Sequence, residues 1–430
     1  MIWLYRFLFL PLILLASPRY FYQMWKRGGY RGSLSNRFGR MQNIPTKPPG
    51  VKRIWIQAVS VGETLAIQPL LQSLHTQGYQ IILTVTTSTA LQLAQQRLQD
   101  RTTWIGVFPI DFYFFSRSAW RQIQPDLMLL TETELWPEHL QQAQRHRVPV
   151  LLINARLSDR SFSRIQRFQQ LASPLFSKLD AVLASTSQDF QRFQTLGWGK
   201  TCELAGNMKF DVAIQAPPDE QLQQLRDDLQ MESPQGKSLW ILGASTWPGE
   251  ERALVQACKR IREQNKQAIY LLLTPRHAER RAEIEHELQQ AGVPYQFRSR
   301  TRKRLAENWI YVADTTGELR ALVELADIAF IGKSMPPHSE GQTPIEAAAA
   351  GKAIVMGPGM SNFREAAQSI VKAGAAEIVD GPGPLEQKLH ALIQDPDRRQ
   401  AMGTAGKALF QKNSGATARV LEAIQQRLRS

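Results

Sequence analysis

The sequence feature that most constrains the fold is an alternation of short apolar segments with amphipathic ones, which begins at Ile54 and runs through the chain twice. Helical patterns lie between the apolar segments, and such βα alternation predicts parallel sheets covered by helices on both faces. The segments with the length and composition of strands are 54–59, 80–86, 103–108, 127–131, 148–154 and 181–185 in the first half, and 239–243, 268–274, 309–312, 328–331, 353–356 and 377–379 in the second.

A polar, proline-containing segment at residues 211–237 separates the two halves and predicts a linker followed by one helix. A chain of 430 residues also exceeds what one hydrophobic core normally serves. We therefore predict an α/β protein of two Rossmann-like doubly wound domains facing a cleft, at 26–210 and 211–430. The last helix, at 416–428, stays with the second domain or packs back onto the first. This is the GT-B glycosyltransferase architecture, but unrelated enzymes share it, so the fold alone assigns no function.

The segment before Glu63 concentrates the basic charge of the chain. It holds ten Lys or Arg residues and no Asp or Glu, in a chain whose net charge is +14. Most of these charges follow an apolar run at residues 7–16 and a group of aromatic residues at 20–25, an order typical of a cytoplasmic membrane interface. We therefore predict a membrane anchor at residues 1–25, which either spans the bilayer or lies in its interface.

Two other interpretations of this basic terminus are weaker. A cleaved signal peptide would need a clean small-residue cleavage site, and the basic segment downstream would resist export. A nucleic-acid-binding protein, suggested by the pI of about 9.9, would spread its basic residues over a folded face. Because the excess charge lies at a hydrophobic terminus instead, we expect a membrane surface as partner and no nucleic acid.

Polar clusters follow several predicted strands of the first half, where open α/β sheets bind their ligands. They are Ser60-Val61-Gly62-Glu63, Thr131-Glu132-Thr133-Glu134-Leu135-Trp136-Pro137, Asn154-Ala155-Arg156-Leu157-Ser158 and Gly206-Asn207-Met208-Lys209-Phe210-Asp211. Glu63 falls on the first turn of a helix, where it is either a capping carboxylate or a general base. Lys209, at the predicted domain junction, is suited to an anionic ligand.

The second half has comparable clusters at residues 243–251, 274–277, 314–319 and 340–347. The Gly-Gln-Thr-Pro start of a helix at 341–344 leaves backbone N–H groups that suit a phosphate, and Glu346 is spaced to accept from ribose hydroxyls. Each cluster by itself is equally well a helix cap. No His, Cys or Asp spacing indicates a bound metal, and there is no Gly-x-Gly-x-x-Gly fingerprint or P-loop.

With these residues in view, the chain resembles the 3-deoxy-D-manno-octulosonic acid (Kdo) transferases, which attach Kdo to lipid A precursors. The resemblance runs nearly end to end, and its motifs stand at residues 29–31, 36–39, 60–63, 132–137, 154–158, 206–211, 244–251, 275–277 and 314–319. Two positions depart from the family pattern. Gln57-Ala58 stands where the family usually has His-Ala, and Glu-Gly-Gln-Thr-Pro-Ile-Glu-Ala at 340–347 replaces Gly-Gly-His-Asn-Pro-Leu-Glu-Pro.

The resemblance implies inverting, metal-independent transfer of Kdo from CMP-Kdo to a lipid A precursor (lipid IVA) in lipopolysaccharide biosynthesis, at the cytoplasmic face of a bacterial inner membrane. CMP-Kdo is the donor substrate, and no cofactor is implied. Glu63 would be the general base, with Glu132 and Lys209 as transition-state stabilisers and Glu134 as the alternative to Glu132. The implied CMP contacts are Pro275, Arg276, Thr316, Gly317, Glu318, Thr343, Pro344, Ile345 and Glu346.

Two alternative functions remain open at this point. One is a GT-B transferase or epimerase that acts on a different nucleotide sugar, such as a UDP-sugar. The other is a non-catalytic membrane-associated scaffold, which would follow if the departures at Gln57 and at Gln342-Thr343 abolished donor binding.

Overall fold

The computed structural model describes residues 2, 3, 5–7, 9, 33–198, 202–211, 217–231, 238–265, 268–315 and 317–429. Its contacts divide the chain into two units, Met1–Ala213 with Asn413–Ser430, and Ile214–Lys412. Most of the predicted anchor at 1–25, the motif at 29–31 and Thr316 lie outside the described residues. Within the described part of the chain, none of the helices combines the length and the apolar character needed to cross a membrane.

The first unit contains a parallel sheet of seven strands in the order β3-β2-β1-β4-β5-β6-β7. The strands are β1 Arg53–Ala58, β2 Gln80–Val85, β3 Trp104–Val107, β4 Leu127–Thr131, β5 Val150–Ala155, β6 Ala181–Ala184 and β7 Cys202–Leu204. The α-helices of this unit are Leu34–Arg37, Val61–Ala66, Gln68–Thr76, Ser88–Arg97, Tyr113–Ile123, Pro137–His146, Asp159–Arg167, Gln169–Phe176, Ser187–Phe193 and Ala416–Arg429.

The second unit repeats this plan with a parallel sheet in the order β10-β11-β9-β8-β12-β13-β14. Its strands are β8 Leu239–Thr246, β9 Ile269–Pro275, β10 Tyr295–Phe297, β11 Ile310–Val312, β12 Ile328–Ile331, β13 Ala353–Met356 and β14 Ala376–Ile378. Its α-helices are Asp219–Leu229, Glu250–Gln264, Arg281–Ala291, Leu319–Leu325, Ile345–Ala349, Arg364–Lys372, Pro382–Gln394 and Pro396–Asn413.

The central strands are buried on both faces, which explains why they appear in the sequence as almost uninterrupted apolar runs. All six residues of β1 are buried, and it pairs in parallel with β2 on one side and β4 on the other. Every predicted strand has a counterpart in the two sheets, with ends that differ by three residues at most. The three-residue edge strands β7 and β10 were not predicted.

The C-terminal helix packs on the first unit. Its apolar residues Ala416, Val420, Ala423 and Ile424 are buried in the same cluster as the strands of the first sheet. The carboxylate of Asp211 accepts the N–H groups of Gly415 and Thr417 at 2.8 and 2.5 Å, and Arg419 donates to the carbonyl of Ala205 at 2.6 Å. Of the two positions open to this helix in the sequence, it therefore takes the one on the first domain.

Candidate active site

The carboxyl ends of β1 and β4 lie side by side at the middle of the first sheet. From β1 the chain continues to β2 and β3 on one side, and from β4 it continues to β5, β6 and β7 on the other. At such a switch point the two following loops leave in opposite directions and open a crevice, which is where α/β sheets bind ligands. Glu63 follows β1, and Glu132 and Glu134 follow β4.

Glu63 is held by three hydrogen-bond donors. Its Oε2 accepts the backbone N–H of Val59 at 2.8 Å and the hydroxyl of Thr131 at 2.5 Å, and its Oε1 accepts the hydroxyl of Ser60 at 2.8 Å. Ser60 also caps the helix Val61–Ala66 by accepting the N–H of Glu63 at 3.3 Å. The reciprocal serine and glutamate bonds resemble a capping box. The side chain is therefore a helix cap. It is also buried, with 7 % of its surface exposed, and the three hydrogen bonds fix its orientation.

Glu132 forms the centre of an ion-pair group. Its Oε1 accepts the Lys209 ammonium at 3.2 Å and the Arg156 guanidinium at 3.3 Å. Glu132, Arg156 and Lys209 follow β4, β5 and β7, so three separate strand ends supply the group. The structure thus brings together the predicted residues Glu132 and Lys209. Arg156 was part of a noted cluster but was not selected, because nothing in the sequence indicates that it reaches Glu132.

Glu134 is a third acid beside these two. Burial and the charges of Glu63 and Glu132 raise the pKa of its carboxyl to about 7. Its backbone N–H donates to the carbonyl of Thr131 at 3.2 Å, and the hydroxyl of the same threonine binds Glu63. Among the described residues, the Glu134 carboxylate has no hydrogen-bond or ion-pair partner. Glu132 and Glu134, which are alike in sequence, therefore occupy different chemical environments.

Backbone strain accompanies this site. Glu132 and Asn154 have φ values of +55° and +50°, in the left-handed region that residues other than glycine rarely adopt. The amide Oδ1 of the buried Asn154 accepts the N–H of Met208 at 3.2 Å, next to Lys209. Residues held in such conformations occur preferentially at functional sites, where the surrounding contacts offset the strain.

Gln57, one of the two departures from the family pattern, is a fully buried residue of β1. Its amide donates to the hydroxyl of Thr86 at 2.9 Å, and its Oε1 accepts the hydroxyl of Thr84 at 2.8 Å. The side chain therefore bonds to the end of β2, so Gln57 supports the strand that precedes the Glu63 helix rather than adding a free group to the site.

In the second unit, Glu250 joins the loops that follow β8 and β12, the two strands at the switch point of that sheet. Its buried carboxylate accepts the backbone N–H groups of Trp247, Lys333, Ser334 and Met335 at 2.8–3.1 Å. Burial raises the pKa of Glu250, and these four bonds act in the opposite direction. The Lys333 ammonium lies 4.1 Å from the centre of the Trp247 ring and 3.6 Å from the Glu340 carboxylate, so this edge of the sheet carries an ion-paired cation.

The predicted CMP contacts lie at the end of β9, where Pro275 is the last residue, and beyond β11 and β12. Arg276 has an exposed side chain, and its backbone N–H donates to the carbonyl of Thr246 at 3.1 Å. Glu318 accepts Arg298 at 2.6 Å and the hydroxyl of Thr315, so it is already paired. Gly317 is exposed with a φ of +90°. Thr316 lies outside the described residues.

The last predicted motif lies at the start of a short helix. Residues 345–349 form a helix of five residues, so its dipole is small. The hydroxyl of Thr343 accepts the N–H of Ile345 at 3.3 Å, and Pro344 and Ile345 are buried. Glu346 is half-buried, and burial raises the pKa of its carboxyl against the opposing charge of Arg320. In the described part of the chain, no group of three or more His, Cys, Asp or Glu residues is placed to hold a metal ion.

Comparison with known proteins shows which family this chain resembles. Residues 32–212 match the family model described as 3-deoxy-D-manno-octulosonic-acid transferase (kdotransferase). The chain is 33 % identical over 425 residues to the 3-deoxy-D-manno-octulosonic acid transferase of Bordetella pertussis, covering 95 % of this chain and 96 % of that protein. It is 29 % identical to the enzyme of the same name from Haemophilus influenzae, covering 97 % of this chain and 94 % of that protein.

A solved structure of MurG from Acinetobacter baumannii is also similar, with a TM-score of 0.54 and 14 % identity over 87 % of this chain and 99 % of that one. At this identity the likeness concerns the fold alone. Together with the two seven-stranded parallel sheets, it confirms the predicted GT-B class of two Rossmann-like domains.

Proposed function

The chain belongs to the 3-deoxy-D-manno-octulosonic acid (Kdo) transferase family, and from that premise we propose how it carries out Kdo transfer in lipopolysaccharide biosynthesis. The donor is CMP-Kdo, the acceptor is a lipid A precursor, and the acid cluster at the switch point of the first sheet acts on the acceptor. The observation that carries this proposal is the buried Glu63 carboxylate, fixed by three donors beside the Glu132–Lys209 pair.

Glu63 is the general base of the proposed reaction. The acceptor hydroxyl oxygen forms a bond to the anomeric carbon of Kdo, and the hydroxyl proton goes to Glu63. The bond from that carbon to the phosphate oxygen breaks, and CMP leaves with the electron pair, so the configuration inverts. The contacts from Val59, Ser60 and Thr131 hold the base in one orientation, which general base catalysis requires.

Lys209 and Arg156 supply positive charge for the substrate. Kdo carries a carboxylate, and a cation close to the reacting carbon stabilises this charge and orients the sugar. In the structure both cations bind Glu132, which keeps them extended at the strand ends. Glu132 is therefore proposed to hold these cations in place for transfer, while Lys209 makes the direct contact with the sugar acid.

The second unit binds the nucleotide in this proposal. The exposed Arg276 and the Lys333 ammonium are the cations suited to the phosphate of CMP, and Glu346 accepts from the ribose hydroxyls. A CMP phosphate is a good leaving group, so stabilising its negative charge suffices without a metal ion or an acid catalyst. Pro275, the segment 316–318 and the segment 343–345 form the rest of the proposed nucleotide contacts.

The departure at Gln342-Thr343 leaves the essential parts of the motif intact. Thr343 still begins the helix Ile345–Ala349 by accepting a backbone N–H, and Pro344 and Glu346 stand where the family has Pro and Glu. The missing His and Asn therefore alter the details of donor binding, and we propose that the transferase activity itself persists.

Exposed aromatic residues beside guanidinium groups support the choice of a lipid acceptor. Trp3, Phe7 and Phe114 expose 75 %, 75 % and 65 % of their surface, although large aromatic side chains are normally buried. Three guanidinium groups surround the nearby Tyr113 ring, with Arg6, Arg145 and Arg117 at 4.5, 5.3 and 5.8 Å from its centre. Exposed aromatic rings beside guanidinium groups suit the headgroup region of an anionic bilayer. We propose the cytoplasmic face of a bacterial inner membrane.

Contacts with the folded unit support a fixed position for the described part of the terminus. The Tyr5 hydroxyl donates to the Asp111 carboxylate at 2.7 Å, and Arg6 forms two bonds to the Glu138 carboxylate at 2.8 and 2.9 Å. Glu138 is buried, so this ion pair is shielded from solvent. The aromatic residues of the terminus would thereby face the bilayer in one orientation relative to the first sheet.

The test is direct transfer. The purified protein would be incubated with a lipid A precursor and CMP-Kdo generated in situ, and the lipid would be measured by mass spectrometry. We expect a gain of one or more Kdo masses, which is lost in Glu63→Ala and retained in Glu203→Gln, a surface control on β7. No gain from a folded protein that binds CMP would refute the Kdo assignment. Competition by UDP instead of CMP would favour a different nucleotide sugar.

A further inference from the structure

We propose that Arg298 is a positioning residue for nucleotide binding, which holds the Glu318 carboxylate in the orientation that contacts CMP. This inference rests on the proposed function, because Glu318 is there one of the nucleotide contacts. Arg298 lies outside all the polar clusters noted in the sequence. It acts through Glu318 in this scheme and makes no contact of its own with the donor.

Arg298 is a buried residue that directly follows the edge strand β10. Its backbone N–H donates to the carbonyl of Val312 at 2.9 Å, which joins it to the end of β11. The loop that follows β11 carries Asp314, Gly317 and Glu318. The short edge strand therefore brings a buried arginine to the side of this loop.

The guanidinium of Arg298 has three partners. Its Nε donates to Oε2 of Glu318 at 2.6 Å, and its Nη1 donates to the Asp228 carboxylate at 3.2 Å and to the Tyr311 hydroxyl at 2.9 Å. Asp228 lies on the helix Asp219–Leu229, and Tyr311 lies on β11. Because a guanidinium offers several N–H donors in a fixed plane, this one side chain anchors Glu318 to a helix and to a strand at once.

This anchoring fixes one oxygen of the Glu318 carboxylate and leaves the other for a ligand. The Arg298 guanidinium and the Thr315 hydroxyl both donate to Oε2. Within the part of the chain that the structure describes, Oε1 receives no hydrogen bond or ion pair. A cytidine nucleotide presents ribose O–H groups and a base amino group, for which a carboxylate oxygen is a suitable acceptor. Arg298 thus orients Glu318 without occupying the oxygen that faces a ligand donor.

The loop after β11 is held at its ends rather than at Gly317. That glycine is exposed with a φ of +90°, and a Cβ added to it would meet no described atom within 4 Å. At the start of the loop, Asp314 accepts the N–H and the hydroxyl of Ser299 at 3.0 and 2.6 Å. Arg298 and Ser299 therefore hold the two ends of the loop, and Arg298 holds the end with the proposed nucleotide contact.

A buried ion pair also occurs in purely structural networks, so a comparison residue is needed. Arg304 is a second buried arginine beside the helix Asp219–Leu229, and it donates to the carbonyls of Leu229 and Asn308 at 2.7 and 2.8 Å. Its side-chain hydrogen bonds in the described part of the chain all go to main-chain carbonyls, and none goes to the loop after β11. Arg304→Lys is therefore a matched control for Arg298→Lys.

The test measures binding of CMP and transfer kinetics in both variants. Lysine keeps the positive charge of Arg298 but cannot bond Glu318, Asp228 and Tyr311 together. For Arg298→Lys we expect Kd for CMP in calorimetry and KM for CMP-Kdo to rise about tenfold, because a charge-assisted hydrogen bond to the loop is lost. The value of kcat at saturating donor should stay unchanged, since only donor binding is weakened. Arg304→Lys should lower the melting temperature and leave Kd and KM unchanged.

A double-mutant cycle separates positioning from a general loss of stability. Because Arg298 acts through Glu318, adding Arg298→Lys to Glu318→Ala should weaken CMP binding no further than Glu318→Ala alone. Additive losses would overturn the inference. It would also be overturned by a folded Arg298→Lys enzyme with wild-type affinity for CMP, or by an Arg304→Lys enzyme that loses the same affinity.

If Arg298→Lys fails to fold, Tyr311→Phe provides the test, since it removes one partner of the guanidinium and keeps the ring. We expect a smaller rise in KM for CMP-Kdo, of about threefold. A folded Tyr311→Phe enzyme with the wild-type KM would overturn the inference. A wild type that binds no CMP and transfers no Kdo refutes the proposed function itself, which distinguishes the two failures.

Discussion

The hydroxyl of Thr131 donates a 2.5 Å hydrogen bond to Oε2 of Glu63, across 68 residues of sequence. The bond ties the end of β4 to the first helical turn after β1, and thus crosses the switch point of the first sheet. The position of the proposed base is therefore set by the neighbouring strand as well as by its own helix.

Thr131→Val tests this relationship. Valine keeps the shape of threonine but removes the donor, and it leaves a buried carboxylate oxygen with one hydrogen bond fewer. We expect the free energy of unfolding to fall by about 1–3 kcal/mol, and kcat to fall while KM for the donor stays constant. Urea unfolding and steady-state kinetics measure both. Thr102→Val, which loses a bond to the carbonyl of Leu98 away from the site, should leave kcat unchanged.

Lys209→Gln tests the proposed contact with the sugar acid. Removing a charge-assisted hydrogen bond costs about 1.5–3 kcal/mol, so we expect kcat/KM for CMP-Kdo to fall about 10–100-fold. Arg156 remains on Glu132 in this variant, and the double variant with Arg156→Gln should lose more than either change alone. Strictly additive losses in the double-mutant cycle would contradict a shared role for the two cations.

Glu134→Gln is predicted to stabilise the folded protein at alkaline pH. The folded pKa of about 7 lies above the usual unfolded value of about 4.3. The folded state therefore binds more protons than the unfolded state between these values, and the wild type loses stability as the pH rises through that window. After allowance for solvent screening, we expect the variant to be more stable by about 1–2 kcal/mol at about pH 8.

The two proteins should be equally stable near about pH 3, where the acid is protonated in both the folded and the unfolded state. Urea unfolding at several pH values measures the difference. A constant offset between the curves would indicate a packing effect rather than titration of Glu134, and a destabilised variant at alkaline pH would contradict the raised pKa.

Much of this fold could be predicted from the sequence, because strands buried on both faces leave long apolar runs. Local details of the helices and edge strands were harder to predict. The helical segment between β1 and β2 is two helices, Val61–Ala66 and Gln68–Thr76, since Pro69 has no N–H to continue the first one. The edge strand β7 was missed because two of its three residues, Glu203 and Leu204, are exposed and it is recognisable only by its pairing with β6.

The candidate site was predictable in part for a similar reason. Strand ends converge at one edge of a parallel sheet, so acids that follow β1 and β4 could be expected together. The pairing of Arg156 with Glu132 could not be predicted from the sequence. It depends on the φ of +55° at Glu132 and on a register shift between Leu152 and Ala155 in β5. Nor could the sequence separate Glu132 from Glu134, whose difference comes entirely from tertiary partners.

Glu250→Ala is predicted to disturb the second unit. The change removes the carboxylate that accepts four backbone N–H groups. The N–H groups of Lys333, Ser334 and Met335 then lose this acceptor inside a buried loop. We expect a loss of about 3–5 kcal/mol in the free energy of unfolding and weaker binding of CMP by calorimetry. Glu250→Gln, which keeps one acceptor oxygen, should be intermediate. An Ala variant with full CMP affinity would show that this loop does not shape the nucleotide site.

The cluster around Tyr113 is predicted to bind anionic membranes. Arg117→Gln with Arg145→Gln removes two of the three guanidinium groups near that ring. Each basic residue near an anionic surface contributes about 1 kcal/mol, so we expect affinity for phosphatidylglycerol vesicles to fall about 10–30-fold. Binding to purely neutral phosphatidylcholine vesicles should be weak for every variant.

A matched control separates this cluster from the overall charge of the protein. Arg252→Gln with Arg260→Gln also removes two positive charges, but from exposed positions in the second unit. Co-sedimentation with vesicles should find this control close to the wild type, because attraction to a charged surface decays within a Debye length. If both double variants lose the same affinity, the net charge governs binding and the Tyr113 cluster has no special part in it. If only Arg117→Gln with Arg145→Gln loses affinity, the first unit approaches the bilayer through this face.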